Sequence, residues 1–204
     1  MSVAAFMSVV LIHLAAAISP GPSFVVALRV AAAEGFRVAV ALALGFGLGA
    51  LLWAGAAMAG LALLFEVVPA LFVALKILGA AFLLWIALQM WRHARDPLPA
   101  PDTHARPRSF AAAVRFGLLT FAGNPKTAVF FGAVFLGLVP ATAPLGWKLA
   151  ILAAVFLNET LWYIAVARVF SLRGPRAAYA RAKAGIDRAF GLFLAGLGLK
   201  IALT

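Results

Sequence analysis

Cysteine is absent from the 204 residues, so disulfides, thiolate metal sites and thiol redox relays are excluded. Charge is scarce too. Only 11% of the residues are charged and 66% are hydrophobic, whereas a soluble domain carries about 25% charged residues. A soluble chain of this length has too little interior to hide so much apolar surface, but a bilayer lets a helix be apolar all round. One compact, polytopic membrane domain is expected. Basic residues are also missing ahead of the first apolar run. Ala15, Ala16 and Ala17 imitate a signal-peptide cleavage site, yet a secretory signal needs a basic start and a short apolar stretch. The run continues past that site, so it is expected to be a retained transmembrane helix.

What charge there is has one dominant sign: 17 Lys and Arg against six Asp and Glu, a net +11. The cations lie between apolar runs, a pattern of loops facing anionic lipid that needs no nucleic acid. Six runs are long enough for a hydrocarbon core of about 30 Å, which takes about 17–25 helical residues. They cover 3–28, 38–65, 69–91, 110–139, 148–167 and 186–203. The first connection holds Arg29 and Arg37. The third holds Arg92, Arg95, Arg106, Arg108 and Arg115, and the fifth Arg168, Arg173, Arg176, Arg181, Lys183 and Arg188. The second and fourth together offer only Lys148. Odd-numbered connections are therefore expected in the cytoplasm and both termini outside, in the periplasm.

The expected fold class is an all-α integral membrane protein, a single transmembrane domain over 1–204 with six helices. Pro97, Pro99, Pro101 and Pro107 mark 93–109 as a stiff cytoplasmic linker. It separates repeat one, 1–92, from repeat two, 110–204. Three helices per half is an odd number, so the second half must lie inverted. Weak echoes keep the same order. The Ser19-Pro20-Gly21-Pro22 break is matched by Asn124-Pro125-Lys126, Leu52-Trp53 by Leu161-Trp162, and the Gly79 segment by the Gly191 segment. The offsets are 105 from Pro20 to Pro125, 109 from Trp53 to Trp162 and 112 from Gly79 to Gly191. Paired broken helices in an inverted repeat point to a transporter's binding site near the midplane.

Those breaks supply the candidate site. Pro20, Gly21 and Pro22 free backbone groups that lipid cannot satisfy, so they must face protein or a watery cavity. Ser19 and Ser23 flank them with hydroxyls, and a half-helix starting near Pro22 would offer its positive end to a carboxylate. A plain kink is the blander alternative. Lys126, beside Asn124 and Pro125, carries an ammonium that is costly inside a membrane unless paired or hydrated. It would hold a substrate carboxylate, close an ion pair, or snorkel to head groups. Glu159, flanked by Asn158 and Thr160, is the one acid deep in an apolar run. It would pair with Lys126, hold a substrate ammonium, carry protons, or serve only a structural bond. Trp53 and Trp162 are candidates to wall the pocket, although packing or interfacial anchoring would also explain them. His13 is read as a lone packed histidine, and Gly45, Gly49, Ala56 and Gly60 as a face for tight helix contact. H-E-x-x-H, G-x-S-x-G and the phosphate-binding glycine loop are all absent. No enzyme, metal site or cofactor is expected, and active transport would have to draw on an ion gradient.

Over nearly its whole length the chain resembles the lysine exporter and homoserine/threonine resistance (LysE/RhtB) family of bacterial amino-acid exporters. The resemblance is carried by six runs in about 200 residues, by Ser19-Pro20-Gly21-Pro22 in the first, Gly35-Phe36-Arg37 after it, and Gly123-Asn124-Pro125-Lys126 in the fourth. It implies an inner-membrane carrier that expels a small amino acid or analogue, coupled to protons or to the membrane potential. It also implies that Pro20, Gly21, Pro22, Asn124, Pro125 and Lys126 belong to the transport core. Expected partners are an amino-acid substrate, protons as the coupling ion and membrane lipid; a homodimer is left open. A cation or heavy-metal exporter of a related family, a membrane scaffold and a membrane enzyme are the alternatives. The first is disfavoured by the missing cysteines and the single buried acid.

Overall fold

In the computed structural model, which describes residues 1–61, 69–97, 107–140 and 142–203, Ser2 opens the first helix. Its hydroxyl accepts from the Ala5 amide at 3.2 Å, replacing one intrahelical partner that the first turn lacks. Helix α1 (Val3–Ile18) stops at Ser19-Pro20-Gly21, and α2 (Pro22–Ala33) begins with proline at its first position. Proline loses nothing there, because that amide has no helical acceptor anyway. The two helices are bent by 59°. The first apolar run is thus broken at the expected motif. Its second half continues to Ala33, which places Arg29 within α2 and reduces the first connection to Glu34 and Gly35.

Helix α3 (Phe36–Ala56) continues into a π-helical stretch, Ala57–Leu61. Next come α4 (Pro69–Arg92) and, after the linker, α5 (Phe110–Ala122), which Ser109 caps by accepting from the Ala112 amide at 3.3 Å. Of the linker prolines, Pro99 and Pro101 lie outside the described residues. The fourth run is broken at Gly123-Asn124. It resumes as the short α6 (Pro125–Val129), widens into a π-helical stretch at Phe130–Phe135 and ends in α7 (Leu136–Leu138). Helix α8 (Leu145–Phe170) is unbroken. The final helix, α9 (Arg173–Leu203), starts 13 residues before the sixth apolar run. Its Arg-, Ala- and Lys-rich opening has high helix propensity, so the fifth connection shrinks and its cations ride on helix. Among the described residues there is no strand.

Among the described residues, two helices are long and apolar enough to cross a bilayer by themselves: Phe36–Ala59, with mean hydropathy 2.0, and Leu145–Phe170, with 1.8. The bent pair of α1 and α2 makes a third if it is one span. Large side chains point outward around the bundle. Leu52, Leu119, Leu161 and Leu192 are each 58–63% exposed, an apolar surface suited to lipid and not to water. The chain is a multi-pass membrane protein.

Helix α3 sits at the centre, packed most extensively on α5 and α8, while α1 and α2 lie against α8 and α4 pairs with α9. Lipid gives apolar side chains no reason to prefer each other, so such contacts depend on close backbone approach. The glycines of α3 allow it. A Cβ on Gly45 would strike the Val114 carbonyl, and one on Gly117 would strike the Leu42 carbonyl. Gly49 leaves room for Phe121, whose Cβ would lie 2.9 Å from an added methyl group. The tight-contact face expected at Gly45 and Gly49 is the α3–α5 seam.

Candidate functional site

The two breaks come together. Asn124 caps α6 by accepting from the Lys126 amide at 3.0 Å, and its Nδ2 donates to Ser23 Oγ, in the first turn of α2, at 2.8 Å. A residue of the second break therefore ties down the first, 101 positions earlier. Lys126 strengthens the link. Its Nζ donates to the Ser19 carbonyl at 2.6 Å and to the Ala16 carbonyl at 3.2 Å. Those carbonyls lie at the C-terminal end of α1, where the helix has run out of amide partners and carries partial negative charge. The lysine passes close over Gly21, where a Cβ would sit 3.1 Å from its Cδ. Any side chain at position 21 would push the lysine aside.

Glu159 approaches from α8 and is only 3% exposed. Its Oε2 lies 3.7 Å from His13 Nε2. It makes no direct bond to Lys126. His13, 2% exposed, is held by ring contacts with Phe130 and Phe131, both with centroids at 5.7 Å. The Asn158 amide donates to the Val10 carbonyl at 3.1 Å and lies 3.5 Å from His13 Nδ1.

These groups enclose a small cavity lined by Ser19, Gly21, Ser23, Asn124, Lys126 and Glu159 on its polar side. Phe121, Phe130, Phe131 and Tyr163 supply the aromatic wall. Its volume of about 40 Å³ suits waters, each of which needs about 10–15 Å³ on this measure. Ser19 Oγ is buried there with no hydrogen-bond partner, an unmet demand that a ligand or water must answer. An ammonium, a carboxylate and a free hydroxyl thus face one confined space. Such a site can grip a zwitterion at both ends.

Of the residues singled out in the sequence, Ser19, Gly21, Ser23, Asn124, Lys126 and Glu159 meet at this cavity. Pro20 and Pro22 line a neighbouring, larger cavity, and Pro125 opens α6. Asn158 braces α1 and His13 instead of facing the cavity. Trp162 lines an apolar cavity with Ile18, Phe24 and Phe190, and Trp53 packs against the core. In the sequence His13 reads as an isolated residue, and Thr127, Tyr163 and the phenylalanines are not singled out. Helical spacing offered two signals: His13 shares a face with Ala16 and Ala17, and Tyr163 lies one turn beyond Glu159. The π-helical stretch that carries Phe130 and Phe131 had no such mark, although π-bulges often occur at functional sites.

A membrane bundle with two broken helices meeting at a charged, enclosed site fits a transporter. The LysE type translocator family matches residues 14–204, and the chain belongs to it; it is a translocator and not an enzyme. The "Threonine efflux protein" of Escherichia coli (strain K12) is 30% identical over 201 residues, 98% of each chain. The "Chemotactic transduction protein ChpE" of Pseudomonas aeruginosa is 33% identical over 78% of each chain. The "Cysteine/O-acetylserine efflux protein" of Salmonella choleraesuis is 35% identical over 66% of each. No solved structure matches the chain.

Proposed function

We propose that the protein is a secondary active exporter of a small, neutral amino acid or analogue across the bacterial inner membrane. The observation that carries this reading is the buried Lys126 ammonium, held on two backbone carbonyls at a helix break with Glu159 nearby but unbonded. Two relatives named as efflux proteins, for threonine and for cysteine and O-acetylserine, support a neutral amino acid as the cargo.

The substrate carboxylate lies against Lys126, the Ser19 hydroxyl and the first-turn amides of α2, where the helix dipole favours negative charge. Its ammonium sits by Glu159, and its side chain meets the aromatic wall. The present cavity is too small for an amino acid, so loading must open it. Opening and binding are linked. A carboxylate that draws Lys126 away from the Ala16 and Ser19 carbonyls also releases the tie between α6 and the end of α1. The two halves then rock about the filled site, with protons or the membrane potential as the driving force.

Six spans in two inverted triplets fit this mechanism, and the packing supports them. If α1–α2, α3 and α4 correspond to α5–α7, α8 and α9, the seam of α3 with α5 exchanges with that of α8 against α1 and α2. The α3–α8 and α4–α9 contacts then map onto themselves. In this reading the linker lies in the cytoplasm and both termini outside, which the cations at Arg92, Arg108, Arg168 and Arg181 support.

Reconstituted vesicles loaded with labelled L-threonine or O-acetyl-L-serine should release them faster than protein-free vesicles. The rate should respond to an imposed proton gradient or potential and saturate with substrate. Release that is unsaturable and equal for sugars and amino acids alike would show a leak and end this reading.

A further inference from the structure

Beyond the central site, a cavity of about 390 Å³ opens between α2, α4 and α9. It is large enough for a small metabolite, whereas the central cavity is not. Gly21 and Lys126 line both. The larger space thus lies directly behind the lysine that closes the smaller one.

Its walls are apolar, with Phe24, Leu28, Phe82 and Trp85 among them. Polar groups gather on the α9 side and at the end of α4, where Tyr179, Lys183 and Asp187 are spaced by one helical turn each. Lys183 is fully engaged. Its Nζ donates to the His93 and Ala94 carbonyls at 2.9 and 3.3 Å and to Asp187 Oδ2 at 2.7 Å. Asp187 is not. The residue is 7% exposed, and its Oδ1 is buried with no hydrogen-bond partner. A buried carboxylate oxygen without a donor is costly. A purely structural mate for Lys183 needs only one oxygen, and the other remains available at the cavity wall.

We propose that this cavity is a waiting site for the cargo amino acid on its way to the central site, with Asp187 Oδ1 accepting from the α-ammonium group. The inference rests on the amino-acid export reading above. From here the substrate moves past Gly21 as Lys126 swings from its carbonyls to the incoming carboxylate. Because the cavity lies at the basic ends of α4 and α9, it loads from the cytoplasmic face.

The test is sided transport of labelled L-threonine and O-acetyl-L-serine by the full-length protein in vesicles of known orientation. Asp187→Asn should raise the half-saturating concentration at the cytoplasmic face about tenfold, the worth of a charged hydrogen bond, and leave that at the outer face at its wild-type value. Asp187→Glu should restore most of the loss. If Asp187 serves only to hold Lys183, Asp187→Asn reduces folded protein or maximal flux at both faces and leaves both half-saturating concentrations unchanged; that result overturns the waiting site while the export reading stands. Wild-type vesicles that move neither substrate overturn the export reading, and the waiting site with it.

Discussion

Lys126 and Lys183 do the same local job in different ways. Each ammonium bonds two carbonyls at the end of another helix: Ala16 and Ser19 at α1 for Lys126, and His93 and Ala94 just past α4 for Lys183. Cations stabilise such ends. The difference lies in the acids. Asp187 is one turn along the same helix and bonds Lys183 at 2.7 Å, so that pair is set by α9 alone. Glu159 comes from a different helix, stands next to His13 and does not bond Lys126. A pair within one helix moves as a unit. A pair divided between α6 and α8 can open, and a zwitterion can fill the gap, which is what a carrier needs.

The largest effect should come from Lys126→Ala. Hydrogen bonds to a charged group contribute about 1.5–3 kcal/mol each, and Lys126 makes two of them, so efflux should fall by at least about thirtyfold, with membrane insertion intact on fractionation. Wild-type flux in Lys126→Ala would erase the distinction between the two lysines. Glu159→Gln comes next. As the seat of the substrate ammonium, Glu159 should show its loss mainly as weaker substrate binding, about tenfold by the worth of a charged hydrogen bond. As a proton carrier, it should instead leave substrate exchange running while abolishing the response to a pH gradient. Measuring exchange and gradient-driven efflux side by side separates the two roles.

How much of this was legible beforehand follows from what leaves a local trace. Both helix breaks were readable because proline, glycine and asparagine act on their own backbone at Pro20–Pro22 and Asn124–Pro125. Lys126 and Glu159 stood out as charges within apolar runs. Their partners did not. Lys126 bonds carbonyls of Ala16 and Ser19, and a main-chain carbonyl looks alike at every position. His13 became meaningful only when α1 was laid against α8. Trp53 and Trp162 echoed one another in order, but order along the chain does not say which side of a helix faces the cavity. Arg29 reads from sequence as part of a connection because a charge marks the end of an apolar run; α2 keeps its helical hydrogen bonds through Ala33 regardless.

The smallest effect expected is that of Lys183→Met, and it sharpens the comparison from the other side. The variant removes the bonds to His93 and Ala94 and leaves Asp187 without its cation. Lys183 keeps 16% of its side-chain surface exposed, so water can replace part of what is lost. Stability should drop by about 1 kcal/mol, the scale of a cation at a helix C-terminus, read as a lower midpoint of thermal unfolding in detergent. Flux should fall far less than in Lys126→Ala. If Lys183→Met instead stopped transport while the protein stayed folded, Lys183 would belong to the moving parts. Division of a charge pair between two helices would then no longer distinguish the working pair from the bracing one.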